Sequence, residues 1–258
     1  MIYNNHIMSW AQKRRLMYLG VLFLIIFIIG LFIYLYNLPT ATCFDMVKNQ
    51  DEKGIDCGGI CDKFCSADVV EPNVLWIRTS KVQDGLYNSM AYIRNSNLKA
   101  SAKDVPYVFK LYDRENTLIY ERKGKVSLPA QKDMAIFESG FYVGYSIPEQ
   151  VYFEFTAPIV WVKDELVSST LTVKDKQIFT ATTKPKITAT IVNSSLAGIK
   201  NVEAVVVVYD TDDNARTFSR YIIDEVPGEG ESAAVYTWPE PFDFTPARIE
   251  LILRPEAQ

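Results

Sequence analysis

Lys103–Asp113 reads KDVPYVFKLYD, and Lys200–Asp210 reads KNVEAVVVVYD. Their closing Asp113 and Asp210 lie 97 positions apart. The match extends on both sides at an offset of 98. Ala91–Leu98 (AYIRNSNL) lies over Ala189–Leu196 (ATIVNSSL), Pro129 over Pro227 and Pro148 over Pro246. Val151–Phe155 (VYFEF) lies over Ile249–Leu253 (IELIL). An offset held through several segments is the mark of an internal repeat. The sequence therefore predicts two copies of one unit, over 71–165 and 166–258.

Within each copy the pattern is that of strands. Ile187, Ala189 and Ile191 alternate with Lys186, Thr188 and Thr190, and Val151, Phe153 and Phe155 alternate with Tyr152 and Glu154. A period of two gives one buried and one wetter face. Val202–Tyr209 (VEAVVVVY) is instead a near-continuous apolar run, expected of a central strand covered on both faces. Turn residues punctuate the strands at Asp113–Asn116, Asp210–Asn214 and Pro227–Glu231. About seven short strands per copy and no long amphipathic helix point to a mainly β chain of two tandem antiparallel immunoglobulin-like β-sandwiches. The Cys…Trp…Cys pattern of antibody domains is missing, and a closed barrel is the competing architecture.

Upstream, Leu16–Tyr36 (LMYLGVLFLIIFIIGLFIYLY) carries no charge and follows Lys13, Arg14 and Arg15. A helix of that length crosses a hydrocarbon core of roughly 30 Å. A cleaved signal peptide would have a shorter apolar region and an A-x-A-like site, which NLPTATC does not offer. Thr42 likewise makes Cys43 a poor lipoprotein cysteine. The expectation is a single-pass anchor over 16–36. The basic flank keeps a tail, 1–15, in the cytoplasm and places the C-terminal units outside it.

Charge and composition narrow the function. The chain carries a formal −4; Lys13, Arg14 and Arg15 give the segment up to Tyr36 +3, leaving −7 for the remainder. That sign argues against binding nucleic acid through phosphates and against electrostatic binding to anionic lipid. The single histidine is His6, so the expected exported part has none for a Ser-His-Asp or Cys-His mechanism or a His-ligated zinc. Carboxylates are plentiful, but no motif singles out a hydrolytic pair. The chain is expected not to be an enzyme.

All four cysteines, Cys43, Cys57, Cys61 and Cys65, fall within 37–70. Clustered and exported, they read as two disulfides, with three pairings open. The C-x3-C-x3-C spacing lacks a zinc knuckle. Asp45, Asn49, Asp51, Glu52 and Asp56 crowd the loop between Cys43 and Cys57 and supply hard oxygens of the kind calcium takes, although acidic turn chemistry explains them as well. No other cofactor is indicated.

Cys43–Cys65 runs C-x-D-x-x-x-N-x-x-E-x-G-x-D-C-G-G-x-C-x3-C. It resembles a short motif of exported bacterial proteins, CxDGxxNxxExGxDCGGxC, with Met46 where that motif has Gly. Phe109–Asp113 (FKLYD) is similar to the FxLYD-type domain signature, of which Val206–Asp210 (VVVYD) keeps the Tyr-Asp end. The whole arrangement resembles a family of membrane-anchored bacterial proteins of candidate-phylum type. The resemblance implies fold and location and brings no catalytic residues.

The aromatics Trp76, Trp161, Trp238, Tyr87, Tyr92, Tyr107, Tyr142 and Tyr145 read first as sandwich core. Ser139–Pro148 (SGFYVGYSIP) and its counterpart Glu240–Pro246 (EPFDFTP) are aromatic end segments. Each either caps a core or recognises a ligand. Tyr142, Tyr145 and Trp238 are the candidate binding residues. Asn193-Ser194-Ser195 is a formal glycosylation sequon, but its counterpart Asn95-Ser96-Asn97 is not, and a turn role explains both. The expected function is a non-enzymatic binding or scaffold protein of the cell envelope, whose partners are the bilayer through 16–36 and an envelope or surface protein. The alternative is a carbohydrate-binding module using Tyr142, Tyr145 and Trp238; an envelope hydrolase comes third.

Overall fold

The computed structural model describes residues 9–37, 41–164, 170–179 and 183–255. The charge-free run lies inside helix α1, Trp10–Tyr36. The helix starts earlier than the run because Ser9 and Gln12 form a capping box. The Ser9 hydroxyl accepts the Gln12 N–H at 3.4 Å, and Gln12 Oε1 accepts the Ser9 N–H at 3.0 Å. Lys13, Arg14 and Arg15 therefore sit in its first turns. The end is marked by Asn37, whose backbone N–H and side-chain amide both donate to the Ile33 carbonyl. Its 27 residues span about 40 Å. None is buried, so the helix is long and apolar enough to cross a bilayer and is not a covered core helix.

Beyond the cysteine segment come thirteen strands among the described residues: β1 (Asn73–Gln83), β2 (Leu86–Asn95), β3 (Ala100–Tyr112), β4 (Leu118–Leu128), β5 (Lys132–Tyr142), β6 (Gln150–Phe155), the two-residue β7 (Val162–Lys163), β8 (Leu171–Phe179), β9 (Lys186–Asn193), β10 (Ile199–Tyr209), β11 (Ala215–Val226), β12 (Glu231–Thr237) and β13 (Arg248–Pro255). Every pairing is antiparallel. The sheets run β1-β2-β5, β4-β3-β6, β8-β9-β12 and β11-β10-β13, with β7 joined to the start of β3. The connectivity of β1–β6 is thus that of β8–β13, six long strands each where the sequence suggested about seven. Left-handed backbone recurs at matching places: Asp104 and Asn201, Asn116 and Asp213, Gln131 and Glu229 all have φ between 47° and 60°.

Two cores follow from the alternation. The first holds Ala91, Ile93, Phe109, Leu111, Phe141 and Trp161; the second holds Ile187, Ile191, Val202, Val206, Tyr236 and Trp238. A third buried layer lies between the units. Met90, Ala135 and Phe137 of the β1-β2-β5 sheet meet Val205, Val207, Tyr209, Phe218 and Ile252 of the β11-β10-β13 sheet. The four sheets therefore stack as layers, and β10 is an inner strand. Val202, Ala204, Val206 and Val208 face its own core while Val205, Val207 and Tyr209 face the other unit. That is why its sequence is apolar without interruption from Ala204 to Tyr209. Strand β3 lies in an outer layer, so Lys110 can face water and pair with Glu154.

The inter-unit layer also has directional contacts. Phe137 and Phe218 meet edge to face at 6.0 Å, and the Arg220 guanidinium lies over the Phe137 ring at 5.2 Å. The buried Ser80 hydroxyl donates to Thr217 Oγ1 at 2.9 Å. Glu203, itself buried, is held by Arg220 and Arg254. Trp76 and Tyr92, 5.3 Å apart, pack against this layer.

Candidate functional site

The cysteine segment closes through Cys43–Cys61 and Cys57–Cys65. All four sulfurs are thus spent on disulfides, and the Cys43, Glu52 and Cys61 cluster offers no thiolate to a metal. The segment is bonded to the first unit. The Phe64 N–H donates to the Trp161 carbonyl at 2.9 Å and the Lys163 N–H to the Asp62 carbonyl at 2.8 Å. Asn97 clamps Val70, accepting its N–H at 2.8 Å and donating to its carbonyl at 2.7 Å.

Of the five oxygen-bearing residues read for calcium, four come together and Asp51 points into solvent. Asp45 accepts the N–H groups of Thr42 and Val47 and the Asn49 amide, and these bonds hold its carboxyl below the ordinary value. Asp56 accepts the N–H groups of Asp45 and Met46. Glu52, only 5% exposed, accepts those of Asn49 and Asp56 through Oε2. Its Oε1 lies 3.1 Å from Cys61 Sγ, a disulfide sulfur with no proton to give. The carboxylates are thus the internal scaffold of a segment too small for a core. The segment leaves large apolar side chains in water: Phe44, Met46, Val47, Ile55 and Ile60 are all exposed.

Asn95 and Asn193, at matching places in the two units, are structural. Asn95 closes β2 and Asn193 closes β9. Asn95 Nδ2 donates to the carbonyls of Ala100 and Pro129, and Asn193 Nδ2 to those of Ala197, Val226 and Pro227. Each Oδ1 accepts the N–H two residues on, from Asn97 and Ser195. Asn193 is 1% exposed, so its amide is not an acceptor site for a glycan in the folded chain. The aspartates recur in the same way. Asp113 Oδ1 accepts the N–H groups of Glu115 and Thr117, and Asp210 Oδ1 those of Asp212 and Asn214. The Asn214 N–H, aided by Arg216, lowers the Asp210 carboxyl.

The three candidate binding residues do not form one patch. Tyr142, the last residue of β5, is 70% exposed, and Tyr145, on the loop that follows, is fully exposed. Trp238 is 8% exposed, belongs to the second core, donates its Nε1–H to Thr217 Oγ1 at 3.0 Å and packs on Phe242 at 5.2 Å. A stacking face for a sugar is therefore not available at Trp238. Phe242 and Phe244 stack at 5.0 Å and pack on the same core, so Glu240–Pro246 is a cap. The first unit's loop differs because Gly85 and Gly144 sit against each other. The Val143 N–H donates to the Gly85 carbonyl at 2.9 Å, and a Cβ on Gly85 would meet the Gly144 carbonyl oxygen at 2.6 Å. The loop is thereby propped on the β1–β2 turn, with Tyr142, Tyr145 and Ile147 outward. Lys81 of that hairpin reaches Glu240 of the second unit at 4.0 Å, so both end segments flank one turn. The exposure of this loop was not legible in its composition, which is as aromatic as the cap's.

No known family's sequence profile matches the chain. No curated protein matches it in sequence. Among solved structures, it aligns with that of red sea bream transglutaminase at 11% identity and a TM-score of 0.25, over 70% of this chain and 31% of that one. The chain thus spans about a third of that structure's length, and a likeness at this level says nothing about activity.

Proposed function

We propose that the protein is a membrane-anchored, non-enzymatic binding or scaffold protein of the cell envelope. Its two units are copies of one module, an inference supported by their shared connectivity, the paired asparagines and the paired left-handed residues. One observation carries the reading: a fully exposed apolar helix precedes two sandwiches joined through a buried sheet-to-sheet layer. Such an object holds a surface at a fixed distance from its point of attachment, where a flexible tandem would not. The contact surface is the propped loop with Tyr142, Tyr145 and Ile147, and its partner is another envelope protein.

The test is in two parts. Protease added to intact spheroplasts digests the β units if they face outward; full protection overturns the orientation. A photo-crosslinking residue at Tyr145 then captures a discrete protein band in intact cells, and Tyr142→Ala weakens that capture. Capture no greater than from a site on the far sheet, such as Lys174, overturns the contact surface.

A further inference from the structure

We propose that the disulfide segment is a second membrane contact, a foot whose apolar tips enter the outer lipid interface beside the anchoring helix. The inference rests on the anchor reading above. Phe44 is 89% exposed and Met46 83%, and Val47, Ile55 and Ile60 are exposed as well. They belong to three stretches that the bonding gathers into one small body. Cys43, before Phe44, is joined to Cys61, after Ile60. The Met46 N–H is held by the carboxylate of Asp56, which follows Ile55. Three acids of the segment, Asp45, Glu52 and Asp56, are engaged with internal N–H groups, and Asp51 is exposed.

Met46 sharpens the point. It has φ of 60°, the left-handed region that suits glycine and strains an L side chain. A strained backbone position bearing a large, solvated apolar side chain gains nothing within the fold. Clustered exposed apolar groups mark a contact surface. The occupant follows from chain length. Only six residues, seven steps of the chain, separate Tyr36, the last of the helix, from Cys43. Fully extended they reach about 25 Å. The foot is therefore tied to the lipid surface. Apolar tips that enter the boundary between headgroups and acyl chains suit that place.

The test uses the full chain in phosphatidylcholine vesicles, with and without bromine on the acyl chains. Phe44→Trp adds one reporter, read as the difference from the parent chain, with both disulfides verified by mass under non-reducing conditions. Met46→Trp serves if that variant does not close its bridges. Trp10, read by difference against Trp10→Phe, reports helix insertion. The added emission is expected to be blue-shifted and to lose about half its intensity to brominated lipid, the depth expected of an interfacial group. An unquenched reporter beside a quenched Trp10 overturns the foot and leaves the anchor standing. If neither is quenched, the chain is not inserted and both readings fail. A blue shift without quenching that grows with protein-to-lipid ratio assigns the tips to a second copy and overturns the proposal.

Discussion

The Tyr92 hydroxyl of the first unit donates to Oε1 of Glu250 in the second at 2.7 Å. The other oxygen of the same carboxylate accepts the Tyr209 hydroxyl at 2.8 Å and Arg248 at 3.2 Å. One carboxylate thus joins phenols from both units at the margin of the buried layer. Desolvation first, and then the Glu250 bond, raise the Tyr92 hydroxyl above its ordinary value of 10.0. Its folded value is raised, so its contribution to stability is fully present below pH 10 and is lost as pH rises beyond.

Tyr92→Phe should therefore destabilise the chain by about 1 kcal/mol at neutral pH. It should also flatten the decline of stability on the alkaline side. Urea unfolding at neutral and at strongly alkaline pH checks both parts. An equal loss at the two pH values would show that the hydroxyl is not a coupling donor.

The layer between the units should make them unfold as one cooperative body. Phe137→Ala, which empties a site against Phe218, is expected to cost about 3–5 kcal/mol. Val207→Lys places a charge in the same layer without touching either sandwich core. Calorimetry should then resolve two transitions where the parent chain shows one. A single transition in the Lys variant would mean that the units are not coupled through this surface.

Asn95 and Asn193 do the same work in different units. Replacing either by Ala removes the side-chain donor to a buried carbonyl, that of Ala100 or Val226 respectively. Each change should cost about 1–3 kcal/mol. In the double variant the costs should nearly add, because the two networks share no partner. Denaturant midpoints of the three variants test this.

Trp238 and Tyr145 should separate cleanly. Trp238→Ala removes a core indole and its hydrogen bond to Thr217, for a loss of about 3–5 kcal/mol. Tyr145→Ala should change stability by less than about 0.5 kcal/mol and act only on partner capture. Thermal melts beside the crosslinking assay distinguish the two effects.

Local chemistry made much of this molecule legible in its sequence. The charge-free stretch after Arg15 read as a helix long enough to span a bilayer, against a cleaved signal peptide, and the clustered cysteines read as bridges, against a zinc site. Alternation along β9 announced one covered face, and the near-continuous apolar run of β10 announced two. These are properties of a period, which needs no knowledge of distant contacts. The capping box at Ser9 was legible too, but the charged flank hid it, and the helix begins at Trp10.

What covers the second face of β10 was decided only in three dimensions. The covering layer is Met90, Ala135 and Phe137, over 60 residues away in the chain, and nothing in their own alternation shows which face meets a second unit. The pairing of the cysteines was settled in the same way. So was the split between two equally aromatic end segments, one folded down as a cap by Trp238 and the other propped outward by Gly85 against Gly144. In each case the deciding term is burial against a partner remote in sequence. That term belongs to the packed whole and not to any stretch of chain.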